Sequence, residues 1–364
     1  MGDKYAIDSH KLVYHPRRVG QWLDCGAEWE CAKSVYPIYV EVSPFGACNH
    51  RCVFCAVDFV GYKPRSLDEA VFTERLTEMA ALGVKSVMFA GEGEPLLWRP
   101  LPAALDHCTR VGIDTSLTTN LVLMDEGNAD ALLRNCSWIK ASVNGGTAAT
   151  YSRVHRTKEA DFDRVLGNFR MAVALRREKG YTCTLGAQML LLPENAHEAV
   201  PFASLLKEIG VDYLVIKPYS QHQSSKTRAY EKIDYRPFLH LEEDLAALGG
   251  DGFSVVFRTR TIQKLLEEER GYERCCAVPF FWAYVMSDGC LYSCSAFLQD
   301  DRFNLGNIQE RTFREVWEGE KRRENWRLVR EELSIDDCRE NCRMDEINRY
   351  LWRLTHPGSH DNFI

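Results

Sequence analysis

The chain has 364 residues, 45% of them hydrophobic, enough for one large domain and a smaller one. Its 45 basic residues stand against 52 acidic ones, a net charge of −7 with no long run of either sign, so neither nucleic acid nor an anionic membrane is expected as a partner. No stretch is long and apolar enough to span a bilayer and the first residues lack a signal-peptide core; a cytoplasmic protein with reduced thiols is expected, and disulfides poorly explain its 14 cysteines. The basic segment from Lys11 to Arg18 reads as a solvated surface stretch.

From residue 36 to 217 short apolar runs alternate with amphipathic stretches. PIYVEV (37–42) reads as a strand leading into a cysteine-rich loop, followed by a helix over 67–83 and a strand, VKSVMFAG (84–91). The pattern continues with a helix near 102–111, a strand IDTSLTT (113–119), a helix near 125–134 and a strand WIKASVN (138–144). A long helix (162–180), a strand CTLGAQMLLL (183–192), a helix near 196–209 and a strand VDYLVIKPY (211–219) complete it. Six strands separated by helices predict an α/β fold, a partial (β/α)6 TIM-like barrel with a parallel sheet and helices outside. Active sites of such folds gather at the C-terminal strand ends, where the cysteine loop, GEGEP (91–95) and Lys217 all fall.

Beyond 220 the pattern changes. A polar connection precedes a helix in RPFLHLEEDLAALG. FWAYVMSDGCLYSC reads as two strands joined at Asp288-Gly289, and FREVWEGEKRRENWRLVREE as a charged helix. The expected organisation is an N-terminal extension (1–35), the barrel (36–225), a connecting helix and strand (226–265), a small cysteine-rich domain (266–345) and a C-terminal helix and tail (346–364).

The chemistry starts at GACNHRCVFC (46–55), where Cys48, Cys52 and Cys55 crowd into eight positions. Structural zinc takes four ligands. Three thiolates can instead hold three irons of a 4Fe–4S cluster and leave the fourth open to a small molecule. This spacing, with Phe54 before the last cysteine, resembles the signature of the radical S-adenosylmethionine (SAM) superfamily. Further motifs follow in that family's order. GEGEP, with Gly91, Glu92, Gly93, Glu94 and Pro95, resembles its SAM-binding glycine motif; TTN (118–120) and SVNGG (142–146) resemble strand ends that line the SAM pocket. Gly91 and Gly93 are expected to let backbone approach the ligand, and Glu94 to face the methionine ammonium. Thr119, Asn120, Ser142, Asn144 and, at the mouth end of strand five, Gln188 are further cofactor candidates, and Phe54 is expected beside the adenine. The resemblance implies reductive cleavage of SAM to a 5′-deoxyadenosyl radical, hydrogen abstraction from a substrate, and an electron donor such as a flavodoxin or ferredoxin.

The later cysteines, with LGNI (305–308) and FREVW (313–317) among them, resemble the auxiliary-cluster domain of the same superfamily, SPASM in its full form and twitch in its short one. Cys276, Cys294, Cys338 and Cys342 are the expected ligands of a second, fully ligated 4Fe–4S cluster suited to electron transfer, with Cys275 able to replace Cys276. Cys290 is either a packed thiol or a hydrogen-atom donor. Cys25, Cys31, Cys108, Cys136 and Cys183 read as structural.

A substrate pocket is expected between the barrel mouth and the second domain. Lys217, Tyr219, Gln221 and His222 leave strand six there, and Arg258, with Arg260, suits a phosphate or carboxylate. Lys217 is also a candidate base. The expected reaction is oxidation or epimerisation of a small polar metabolite such as a sugar, aminocyclitol or nucleoside. Peptide cross-linking or thioether formation is the alternative, disfavoured by the 47 residues before Cys48, which lack a clear peptide-recognition pattern.

Overall fold

The computed structural model describes residues 5, 7, 9–250, 252–267 and 270–363. Seven strands lie side by side in chain order and run parallel: β1 (Tyr39–Val42), β2 (Ser86–Phe89), β3 (Asp114–Thr119), β4 (Cys136–Ser142), β5 (Thr184–Leu191), β6 (Tyr213–Pro218) and β7 (Ser254–Phe257). Helices Glu69–Ala81, Leu101–Val111, Glu126–Asn135, Ala160–Lys179 and Ala199–Ile209 carry the chain back between them. The period-two pleat sorts the residues. Val40, Val42, Val87, Phe89, Ile139, Ala141, Leu214 and Ile216 pack with Phe72, Leu76, Leu105, Leu132, Phe169 and Phe202 of these helices. Their neighbours, among them Glu41, Met88, Lys140, Ser142, Gln188 and Lys217, take the opposite, inner face.

Strand β8 (Trp282–Val285) pairs parallel with β1 on the side away from β2, then turns at Asp288-Gly289 into antiparallel β9 (Cys290–Tyr292) and β10 (Asn304–Asn307). The C-terminal cysteine-rich region therefore grows out of the barrel's first strand as part of one ten-stranded sheet. That sheet is open, with β7 and β10 at its edges.

Four features differ from the sequence reading. The strand expected in the connecting segment, β7, joins the parallel sheet beside β6, as β8 does beside β1, so the sheet has eight parallel strands rather than six. A helix, Ala148–His155, follows β4; its short length and β-branched residues hid it. The single charged helix expected over 313–332 is two, Phe313–Trp317 and Glu320–Glu331, parted at Gly319. Cys25 and Cys31, six residues apart, form a disulfide, correcting the expectation that every cysteine is a free thiol.

The N-terminal segment is bound into the fold. The buried guanidinium of Arg322 donates to the carbonyls of Ala32, Lys33, Val35, Pro279 and Trp317, and lies 4.1 Å from the Trp317 ring centroid. Burial lowers its pKa to about 9, against the opposing pull of Tyr36 and Glu318.

Candidate iron–sulfur and substrate site

The loop after β1 carries Cys48, Cys52 and Cys55, all free and half-buried. Two other loops fix its shape. The Asp58 carboxylate accepts from Ser225 Oγ (3.0 Å), Lys226 N (2.8 Å) and Thr227 N (2.9 Å), while Thr227 Oγ1 donates to Val53 O at 2.9 Å. The segment after β6 is thereby laced to the cysteine loop. On the other side Asn120 Nδ2 donates to Asn49 Oδ1 at 2.7 Å, and Glu94 N donates to Ala47 O at 2.9 Å.

Gly91 and Gly93 both have positive φ, +98° and +71°. A Cβ on Gly91 would sit 2.0 Å from Tyr284 Oη and 2.1 Å from Ser43 Oγ; one on Gly93 would sit 2.0 Å from Phe45 O. These glycines let GEGEP close onto β8 and onto the cysteine loop, a close approach that a Cβ would block. The carboxylates are also engaged. Glu94, buried, accepts from Thr119 Oγ1 (2.5 Å), Asn120 N (2.8 Å) and Leu96 N (3.1 Å), and burial raises its pKa. Glu92 accepts from Ser287 N (2.8 Å) and Ser287 Oγ (2.6 Å), tying the motif to the β8–β9 turn. Pro95 is buried at the start of a 3-10 turn.

His155, unsuspected in the sequence, joins β4 to the cysteines. Its Nε2 accepts the Asn144 backbone N–H at 3.0 Å, so in the neutral imidazole Nδ1 carries the hydrogen, directed at Cys52 Sγ 3.3 Å away. Burial, first, and His50 hold its pKa well below the usual value, which keeps it neutral. Phe54 stands edge-on to the same ring, centroids 5.3 Å apart. Asn144 also braces the fold: its Oδ1 accepts from Leu190 N at 2.7 Å and its carbonyl from Asn195 Nδ2 at 3.0 Å. Ser142 and Gln188, paired in register at the strand ends, are half-buried with their side chains on the inner face.

The residues after β6 divide. Tyr219 packs against Tyr230, with ring centroids 5.7 Å apart, in a satellite cluster flanked by Phe54 and Leu190, and its hydroxyl donates to Gln221 Oε1 at 3.3 Å. The Gln221 amide donates to the carbonyls of His222 and Thr227. His222, buried, reaches Ser295 O at 3.0 Å and lies beside Phe59. Gln221 and His222 thus brace the loop, because a covered polar loop must satisfy its own backbone. Arg260 is exposed on the helix Thr259–Glu267; Arg258, just before it, is half-buried and acts electrostatically on Lys140 and Lys217.

Lys140 and Lys217 stand on the inner face of β4 and β6. Burial, first, and Arg258 lower the Lys140 pKa to about 8. Burial, then Lys140, Arg258 and Arg339, hold that of Lys217 well below the usual lysine value. Arg339 comes from the second cysteine region and donates to Ser220 O (2.6 Å) and Gln221 O (3.3 Å). Lys140 was missed because one lysine in WIKASVN looks like a solvated residue.

In the C-terminal region one cavity is lined by Cys275, Cys294, Cys338 and Cys342, with Tyr272, Phe297 and Met344 around them. Burial, first, raises the Cys294 pKa well above the usual thiol value, and Cys342, Cys275 and Cys338 add to it. Cys276 is absent from this set. Its N–H, like that of Ala277, donates to Asn348 Oδ1, at 2.8 and 2.9 Å, and its Sγ faces Arg274 O at 3.7 Å. With two successive N–H groups held by Asn348, the Cys276 thiol is turned toward Arg274 O, and Cys275 rather than the expected Cys276 enters the cavity. Cys290 is also outside it, in the β8–β9 hairpin, with Asn307 Nδ2 at 3.9 Å and burial, Asp288 and Asn304 setting its environment. None of these neighbours belongs to the lysine-lined face, and the expected hydrogen-donor role gains no support.

Both thiol sets suit iron–sulfur clusters in donor chemistry: three thiols on one loop, and four converging on one cavity. Among the described residues no helix is long and apolar enough to cross a membrane.

The radical SAM superfamily model matches residues 42–206, and that of the iron–sulfur cluster-binding SPASM domain matches residues 275–343. A PqqA peptide cyclase of Gluconobacter oxydans (strain 621H) is 30% identical over 165 residues, 45% of this chain and 44% of that protein. An S-adenosylmethionine-dependent nucleotide dehydratase of Lacinutrix mariniflava is 31% identical over 102 residues, 27% of this chain and 21% of that one. The chain thus matches less than half the length of these curated relatives. Streptococcus suis SuiB, solved with its precursor peptide SuiA, superposes with a TM-score of 0.63 at 19% identity, over 85% of this chain and 69% of that one, a likeness of fold. The chain carries a radical SAM domain joined to a SPASM iron–sulfur domain, and with them a SAM-binding 4Fe–4S cluster, SAM and an auxiliary iron–sulfur cluster as its cofactors.

Proposed function

We propose that this radical SAM enzyme abstracts a hydrogen atom from a small polar metabolite, a sugar, aminocyclitol or nucleoside, held on the inner face of β4–β6, with oxidation or epimerisation as the outcome. The carrying observation is the lining of that face: Lys140, Ser142, Gln188 and Lys217 give it polar groups where the opposite face of the same strands is aliphatic. Cys48, Cys52 and Cys55 would hold the SAM-binding cluster, and Cys275, Cys294, Cys338 and Cys342 the auxiliary one. When bound, the first cluster and SAM supply a one-electron reductive cleavage that yields the 5′-deoxyadenosyl radical.

The chain's own residues orient and enclose. His155 directs an N–H at Cys52 Sγ, the kind of hydrogen bond that tunes a cluster's electronics. Arg339, His222 and Ser220 join the segment after β6 to the C-terminal region, shutting water from the strand ends.

Peptide modification is the second reading, favoured by the likeness to a peptide cyclase over nearly half the chain. Anaerobic incubation with SAM and dithionite tests both. Formation of 5′-deoxyadenosine, with deuterium arriving from a labelled sugar or nucleoside, supports the first reading. Transfer only from peptides replaces it, and no 5′-deoxyadenosine under any condition removes the enzyme reading altogether.

A further inference from the structure

The inner face holds positive charge without its complement. Lys140 and Lys217 alternate along their strands with Ile139, Ala141, Leu214 and Ile216, all packed against the helices, so both lysines point inward. Between their strands β5 sets Gly186 level with Lys140 and Leu190 level with Lys217. The space over Gly186 is filled by the Tyr213 ring, since a Cβ there would lie 2.0 Å from it. Tyr5 packs on Tyr213, centroids 5.1 Å apart, so the lysines stand above an aromatic floor. The Lys140 ammonium lies 5.3 Å from the Trp138 ring centroid.

Every charged group that acts on these two is cationic: Lys140, Arg258 and Arg339 act on Lys217, and Arg258 on Lys140. Arg339 donates to neutral carbonyls, and the groups that stabilise its charge are Tyr219 and the cavity thiols Cys342 and Cys294, none of them on the lysine-lined face. The inward carboxylate of β1, Glu41, is paired with Arg343. Among the described residues neither lysine has an acidic partner. Both lysines are half-buried, and charges withdrawn from water are ordinarily paired, because desolvating an ammonium is costly. Two inward-facing lysines, on alternate strands and four register positions apart along β5, with no carboxylate partner, are the pattern expected when the counter-charge arrives with a ligand.

We propose that Lys140 and Lys217 form an anion subsite that seats a phosphate or carboxylate group of the substrate. This rests on the substrate lying on the inner face, and narrows the metabolite to an anionic one, such as a phosphorylated sugar, a nucleotide or a sugar acid. It gives Lys217 the task of holding charge rather than taking a proton. Lys140, with a pKa of about 8, is already charged at neutral pH; Lys217, held well below the usual lysine value by burial and its cationic neighbours, takes up a proton together with the anion.

The test is calorimetric titration of the reconstituted, SAM-loaded enzyme, under anaerobic conditions at neutral pH, with inorganic phosphate and with acetate. Saturable binding of either is expected, the tighter one identifying the group, with proton uptake seen on changing the buffer. Lys140→Met and Lys217→Met each weaken it by about tenfold or more. Lys140→Arg retains binding, and so does Lys85→Met, a change at an exposed lysine before β2. Equal anion affinity in wild type and the two methionine variants overturns the proposal, as does absence of saturable binding to wild type. So does a parallel fall in SAM affinity, which would assign the lysines to the cofactor. Because binding is read at equilibrium, the result is independent of whether 5′-deoxyadenosine forms.

Discussion

The two cysteine regions solve different problems. The first gathers three thiols on one short loop and leaves their arrangement to outside help: Asp58 with residues 225–227, His155, Asn120 and the GEGEP turn. The second draws four thiols from three segments far apart in sequence, at 275, 294 and 338–342, around one enclosed cavity. The difference teaches that an open site depends on the loops that position it, whereas a closed one depends on which way each contributing chain segment faces.

The sharpest way to break this comparison is at the cavity. Cys275→Ser is expected to lose the auxiliary cluster, about four irons per chain, while Cys276→Ser keeps it. Iron and sulfide analysis decides, and equal losses would end the orientation argument. The next largest effect falls on the open loop. Gly93→Ala drives a Cβ into the Phe45 carbonyl at a positive φ, and is expected to cost about 3 kcal/mol or more, read as a lowered melting midpoint and lost SAM binding. Asp58→Ala removes the carboxylate that ties residues 225–227 to the cysteine loop. About 2–3 kcal/mol of local stability should go, seen as protease nicking near 223–228 with the auxiliary cluster intact. If that cluster is lost as well, the two regions are not independent.

The smallest expected effect is one of pH. Lys140, with its pKa lowered to about 8 by burial and Arg258, sits on a face shared with Lys217, Arg258 and Arg339. Between the folded value and the ordinary lysine value of about 10.4 the unfolded chain binds more protons, so this group's contribution to stability rises with pH there. Lys140→Met is therefore expected to melt higher than wild type at pH 7, with the gap closing as the pH passes from 8 to 10. A gap that widens instead would mean that Lys140 has an anionic partner in the empty protein.

Local pattern carried much of this molecule. Cys48-X3-Cys52-X2-Cys55 and GEGEP lie within single turns or loops, where spacing dictates geometry, and the β1–β6 alternation repeats often enough to read as a parallel sheet. The strands' aliphatic outer faces and the hairpin at Asp288-Gly289 were legible for the same reason. Tertiary structure decided the rest. The sequence by itself cannot tell which of two adjacent cysteines turns inward, since Asn348, more than 70 residues away, holds that backbone. Nor can it show that Glu94 and Asn144 spend their hydrogen bonds on neighbouring loops, or that His155 meets Cys52 from a helix 103 residues on. Lys140 and Lys217 gain their meaning only when β5 is laid between them, because charge without a counter-charge is a property of the assembled face and of no single stretch of chain.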